Sequence, residues 1–192
     1  MLLASDTLRD KFESAMPYEQ FVAYGEPLGH RGPWDDRYGR LALKPDEQAM
    51  VSGFQRDMNV LCLTGTWCGD CALQGSAHAR IAEANRARIT LRFLQREDAH
   101  ADLIVKCPIN GGFRVPVTWF LAEDFEPLTV FGDRTLSRYQ SMALRALGPE
   151  ANVHAPPPED PLATVLREVL EQYERAQAML RLSPRLREIH GD

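Results

Sequence analysis

Residues 60–71 read Val-Leu-Cys-Leu-Thr-Gly-Thr-Trp-Cys-Gly-Asp-Cys. A short apolar run, Val60 to Leu63, leads into a turn bracketed by Gly65 and Gly69. Cys68 and Cys71 close the stretch with two residues between them. Such a pair is a redox couple, half of a metal site, or two ordinary thiols, and its setting decides among them. The apolar run has the length and composition of a strand buried on both faces. Beyond the turn, Ala72, Leu73, Ala77, Ile81 and Ala84 recur at helical spacing, which predicts a helix from about Gly69 to Arg88. The pair therefore sits where a strand hands over to a helix.

Working outward, Ile89–Leu94 alternates and predicts a second strand. Asp98 to Cys107 predicts a short helix stopped by Pro108, and residues 110–112, Asn-Gly-Gly, a turn. Val115–Leu121 predicts a strand in spite of Pro116. Pro127–Phe131 predicts another, and Ala122 to Glu126 is short enough for an antiparallel hairpin. Leu136–Leu147 predicts a helix ended by Gly148 and Pro149.

Upstream, residues 5–24 predict one helix. Asp6 is its candidate cap, and Leu8, Phe12, Ala15 and Met16 share a face. Residues 25–40, rich in glycine and proline, predict a loop ordered by Trp34 and Tyr38. Pro45 opens a helix running to about Met58. Downstream, residues 154–161 predict a stiff linker, and Leu162–Leu182 an amphipathic helix whose stripe packs on the domain. Strands alternating with helices imply an α/β fold with a mixed sheet covered on both faces.

The chain has 192 residues, 44% of them apolar, and a formal net charge of −5. That suits one domain with extensions, and the sign argues against nucleic acid or an anionic membrane as partner. No apolar run approaches the roughly 20 residues that span a bilayer. The N-terminus lacks a basic region, and Asp6, Arg9 and Asp10 interrupt any apolar segment, so a cytoplasmic location is expected. In a reducing compartment the four cysteines are buried, catalytic or metal-bound rather than a disulfide framework.

A helix N-terminus presents free N–H groups and a partial positive charge, both of which favour a thiolate. The thiolate is the attacking species in disulfide exchange. Cys68 is thus the candidate nucleophile. Cys71, one turn further on, is the candidate resolving thiol. Zinc needs four ligands, and neither a second Cys-x-x-Cys nor a histidine at ligand spacing supplies them. No metal and no bound cofactor are expected. Cys62 reads as a core thiol. Cys107 reads as a core or loop thiol, with a third redox cysteine as its alternative. His30, His78, His100, His154 and His190 are scattered and read as surface or packing residues.

The combination of Trp67, Cys68 and Cys71 with Val115-Pro116 and Gly132 resembles the thioredoxin superfamily. The closest likeness is to bacterial thioredoxin-like proteins with a helical N-terminal extension. The resemblance implies a three-layer thioredoxin-like sandwich over residues 45–148. Residues 1–44 would be a helical N-terminal extension, and residues 149–192 a linker and C-terminal helix. It implies a thiol–disulfide oxidoreductase acting on protein or small-molecule disulfides, with electrons from a dithiol donor or a reductase. The alternative is a thioredoxin-fold binding module with a little-used dithiol.

It also implies a cis Val115–Pro116 bond, and a substrate strand held by the Val115 backbone. Trp67, Gly69 and Asp70 would border the substrate, and Gly132 would open the groove floor. Two positions depart from the family pattern. Asp70 replaces a neutral residue and should oppose ionisation of Cys68. Cys62 stands where thioredoxins carry a buried aspartate, so either Glu97, Asp98 or water fills that role or turnover is slow. Trp34 has two readings, as a packing anchor or as a lid over the site.

Overall fold

The computed structural model describes residues 3–151 and 157–192. Residues 154–156 of the predicted linker, with His154, lie outside the described residues. The architecture is α/β. Strands β1 (Met58–Thr64), β2 (Ile89–Gln95), β3 (Val117–Leu121) and β4 (Pro127–Phe131) form one sheet in the order β2-β1-β3-β4. β1 runs parallel to β2 and antiparallel to β3, and β3 and β4 form the expected hairpin. The central strands are buried almost throughout, with Asn59 the one partly exposed position of β1. That is why they read as unbroken apolar runs.

Helices α1 (Ser5–Ser14), α2 (Tyr18–Tyr24), α3 (Arg31–Arg40) and α4 (Pro45–Ser52) precede the sheet. Helices α5 (Gly69–Ala84), α6 (Ala101–Lys106) and α7 (Leu136–Leu147) are interleaved with the strands or follow them. Helices α8 (Pro161–Leu182) and α9 (Pro184–His190) close the chain. α5 packs on β1 and β2, and is itself covered by α3, α4 and α8.

The N-terminal reading needs two corrections. Residues 5–24 are two helices, not one. Pro17 has no N–H and pushes Met16 into an extended conformation. Met16 then exchanges both backbone hydrogen bonds with Phe93 of β2, at 2.9 and 2.7 Å. Asp6 lies in the first turn of α1 rather than capping it.

Residues 25–40 are not a loop. A 3₁₀ turn at Glu26–Leu28 leads into α3, where Pro33 is tolerated because it falls in the first turn. The burial of Trp34 outweighs the weak local propensity. Its ring lies so close to α5 that a Cβ on Gly75 would sit 2.4 Å from it.

Two helix ends also differ. α4 stops at Gly53 and Met58 already belongs to β1. α5 ends at Ala84, where Asn85 leaves the helix and its side-chain amide donates to Val51 O at 2.9 Å. α9 was not foreseen. α8 behaves as its stripe predicts, with Val165, Val169, Tyr173 and Leu180 fully buried. Each such aliphatic side chain contributes roughly 1.5–3 kcal/mol. Its Gln177 amide also satisfies backbone groups of Gln55 and Arg56 just ahead of β1.

Candidate active site

β1 delivers the chain to Thr64, and the turn that follows is tightly built. A Cβ on Gly65 would lie 2.7 Å from the Trp67 indole, so only glycine fits. The Cys68 N–H donates to Gly65 O at 3.0 Å and closes the turn. Cys68 is the N-cap of α5, and its Sγ accepts the Cys71 N–H at 3.3 Å. Cys71 is buried, with the Gly65 N–H directed at its Sγ at 3.5 Å. Both thiols are free.

Their electrostatics diverge. The Cys68 thiol is pushed down to about 7, chiefly by the hydrogen bond that the Cys71 thiol offers its thiolate. Partial burial opposes this, and the Cys71 and Asp70 N–H groups assist it. Cys71 is pushed well up, by burial first and then by the negative charge forming on Cys68. The buried Thr64 hydroxyl has no hydrogen-bond partner and lies near enough to favour the Cys71 thiolate slightly. Of the two sulfurs, the partly exposed Cys68 is the one that ionises near neutral pH, while buried Cys71 keeps its proton.

Asp70 does raise the Cys68 pKa, as its charge predicts, but it is the smallest of the causes. The sequence reading missed its partners. Arg134 Nε donates to one Asp70 oxygen at 2.8 Å, and Arg138 donates twice to the other at 2.9 and 2.8 Å. Arg134 also reaches buried Asp133 at 2.9 Å, and Arg114 meets the same Asp133 oxygen at 3.3 Å. An ionic chain thus joins α7, the start of α5 and the residue before Val115. Arg134, just ahead of α7, and Arg138, in its first turn, were the available signal.

The Val115–Pro116 bond is cis. These two residues lie just ahead of β3 rather than inside it, which removes the difficulty of a proline within a strand. In its thiol form Cys68 directs Sγ–H to Val115 O at 3.9 Å. Trp67 and Gly69 lie beside Cys68 on the rim of a cavity of about 600 Å³. Gly132 lines a second cavity of about 350 Å³ together with Cys107, Val117 and Trp119. Burial pushes the half-buried Cys107 thiol up.

The N-terminal segment supports the turn from below. The Trp34 indole N–H donates to Thr66 O at 2.8 Å, and His30 Nδ1 pairs with Thr66 Oγ1 at 3.0 Å. Trp34 is therefore an anchor beneath the dithiol turn and not a lid above it.

Neither Glu97 nor Asp98 is among the groups that bear on Cys71. Glu97 faces His100 instead, at 3.8 Å. Cys62 sits in a buried polar row. Its Sγ lies 3.3 Å from Thr118 Oγ1, which meets His78 Nε2 at 3.2 Å, and His78 Nδ1 meets the Tyr173 hydroxyl at 2.9 Å. Burial pushes Cys62 up to about 12 and His78 down to about 3, so the row is neutral at physiological pH. His78 is thus a buried packing residue with both ring nitrogens satisfied. Among the described residues, no group of three or more His, Cys, Asp or Glu is placed to hold a metal ion.

A family model described as Thioredoxin matches residues 16–144. No curated protein matches the chain in sequence. Among solved structures, a Pseudomonas aeruginosa protein of unknown function shares 19% identity over 86% of this chain and 96% of its own, with a TM-score of 0.63. An HIV epitope-scaffold shares 18% over 87% of this chain and 97% of its own, with a TM-score of 0.64. At these identities the likeness concerns the fold. Chlamydomonas reinhardtii thioredoxin f2 also aligns, at 14% identity over 57% of this chain and 97% of its own, with a TM-score of 0.34.

Proposed function

Because this chain belongs to the thioredoxin family, and because its two cysteines divide charge and proton between them, we propose that it is a thiol–disulfide oxidoreductase. The observation that carries the reading is the contrast within the pair. Cys68 is partly exposed and pushed down to about 7, whereas Cys71 is buried and pushed well up. A nucleophile needs access and ionisation, while a resolving thiol must wait.

The Cys68 thiolate attacks one sulfur of a substrate disulfide. A Cys68–substrate bond forms and the other sulfur leaves as a thiolate. Cys68 then no longer carries the charge that held up Cys71. Cys71 loses its proton and attacks Cys68, and the second substrate thiol is released. The protein dithiol gives up two electrons and two protons, and the substrate becomes two thiols. An external dithiol or a reductase returns the electrons. The Val115 carbonyl lies 3.9 Å from Cys68 Sγ, and in this reading Val115 and Pro116 position the substrate backbone while Trp67, Gly69 and Asp70 border it from the cavity beside Cys68. No helix of the described residues is long and apolar enough to cross a membrane. A pair that works as a dithiol suits a reducing compartment such as the cytoplasm.

The test is equilibration with glutathione buffers, then alkylation and mass analysis of each cysteine. A two-electron transition confined to Cys68 and Cys71, at a potential below about −180 mV, is expected. A pair that never oxidises overturns the reading.

A further inference from the structure

The cavity beside Cys68 is built largely by parts of the chain outside the central sheet. Its walls come from the last turn of α3, the first turn of α5, Arg138 of α7, and Asp160 to Leu162 at the start of α8. At about 600 Å³ it has the size of a site for a small molecule. Leu73 and Leu162 give it apolar wall, and Trp67 an aromatic edge.

Its charge runs against that of the whole chain, which is −5. Arg37, Arg40 and Arg138 line it against two carboxylates, Asp70 and Asp160. Both carboxylates already have partners, and those of Asp70 include Arg138 of the same wall, which leaves Arg37 and Arg40 as the arginines to consider. Asp70 is held by Arg134 and Arg138, and Asp160 Oδ1 caps α8 by accepting the N–H groups of Leu162 and Ala163 at 3.0 Å each. Among the described residues, Arg37 and Arg40 share a single ion-pair partner, Asp36, at 2.6 and 3.6 Å, and Asp36 is not part of the wall. At least one guanidinium of α3 is therefore free to meet an anion. Guanidinium groups recognise carboxylates with paired N–H donors.

We propose that this cavity binds a small disulfide carrying carboxylates, with Arg37 and Arg40 holding the carboxylates while a sulfur meets Cys68. This rests on the dithiol reading above. The exchange is the one already balanced. Cys68 joins one half of the small disulfide, the other half leaves as a thiol, and Cys71 releases the first half as the Cys68–Cys71 disulfide forms.

The test compares reduction of three probes by the full chain, with excess dithiothreitol as electron source. Dithiodiglycolate is dianionic, hydroxyethyl disulfide neutral and cystamine dicationic. Each rate is divided by that of dithiothreitol alone with the same probe, which removes intrinsic reactivity. Dithiodiglycolate is expected to lead cystamine on the order of tenfold at low ionic strength, with the lead shrinking as salt is added. In an Arg37→Gln/Arg40→Gln variant the lead should collapse toward unity, and in Arg37→Glu/Arg40→Glu it should reverse. Both positions are partly exposed, so the fold should tolerate them, and circular dichroism checks this. A flat order across the probes, or the same order in the Glu variant, overturns the proposal and leaves the dithiol reading intact. If no probe is reduced at all, the proposal falls, and the dithiol reading stands or falls on the glutathione equilibration of Cys68 and Cys71.

Discussion

Replacing Cys71 by alanine isolates the main source of the Cys68 acidity. The Cys71 thiol hydrogen bond is the largest contribution, and the Cys71 and Asp70 N–H groups remain in the variant. A hydrogen bond to a charged acceptor contributes roughly 1.5–3 kcal/mol. Sulfur is a weak partner and Cys68 is partly wet, so the low end applies, which is about one pH unit. The Cys68 midpoint should therefore move from about 7 to roughly 8. At neutral pH the thiolate fraction falls from about one half to about one tenth. The more basic thiolate is also about threefold more nucleophilic, given a Brønsted slope of roughly 0.4–0.5. The two effects nearly offset, so a rate at one pH would fall only about twofold.

The informative assay is the pH dependence of iodoacetamide alkylation in a Cys107→Ser background, where Cys62 is buried and silent. Cys71→Ser, which keeps a donor, should stay near the wild-type midpoint. Equal midpoints for Cys71→Ala and the reduced wild type would refute the argument and assign the acidity to the helix start alone.

Asp70→Asn should lower the Cys68 midpoint, since it removes the charge that raises it and releases Arg138, while Arg134 keeps Asp133; an unchanged or raised midpoint would refute that. His78 is held neutral in the fold, so the unfolded chain binds more protons between its ordinary value near 6.5 and the folded value of about 3. Stability contributed by neutral His78 is whole above about 6.5 and is lost progressively as pH falls toward 3. His78→Gln should flatten that part of the urea-midpoint profile while costing roughly 1–3 kcal/mol at neutral pH for the broken contacts of Thr118 and Tyr173. Gly75→Ala should cost roughly 1–3 kcal/mol by driving a methyl into the Trp34 ring; unchanged urea stability and unchanged tryptophan emission would contradict that packing.

The strand–turn–helix around Cys68 was legible in the sequence because each of its parts is local. The apolar run of β1, the glycines of the turn and the helical spacing of Ala72 to Ile81 need no distant partner to be recognised. The β3–β4 hairpin followed from its short connection. What escaped was carried by contacts between distant segments. α3 has glycine and proline in its first turns, and it is a helix because Trp34 finds α5 and Thr66. The clamp on Asp70 comes from residues more than sixty positions away. The cavity that Gly132 lines with Cys107, Val117 and Trp119 likewise needed segments distant in sequence to meet. The polar row through Cys62 and His78 needed three segments, β1, β3 and α8, to meet on one face of α5.

The exchange between Met16 and Phe93 has a consequence for how molecules of this protein meet one another. It occupies the middle of the outer side of β2, and the next residue, Pro17, has no N–H with which to extend the ladder. On the opposite border, β4 begins with Pro127. Both margins of the sheet are thus poor templates for recruiting a strand from a neighbour, the usual route to ribbon-like aggregation. Under the proposed exchange at Cys68, close encounters with other molecules are thereby confined to that end of the sheet and kept away from its flanks.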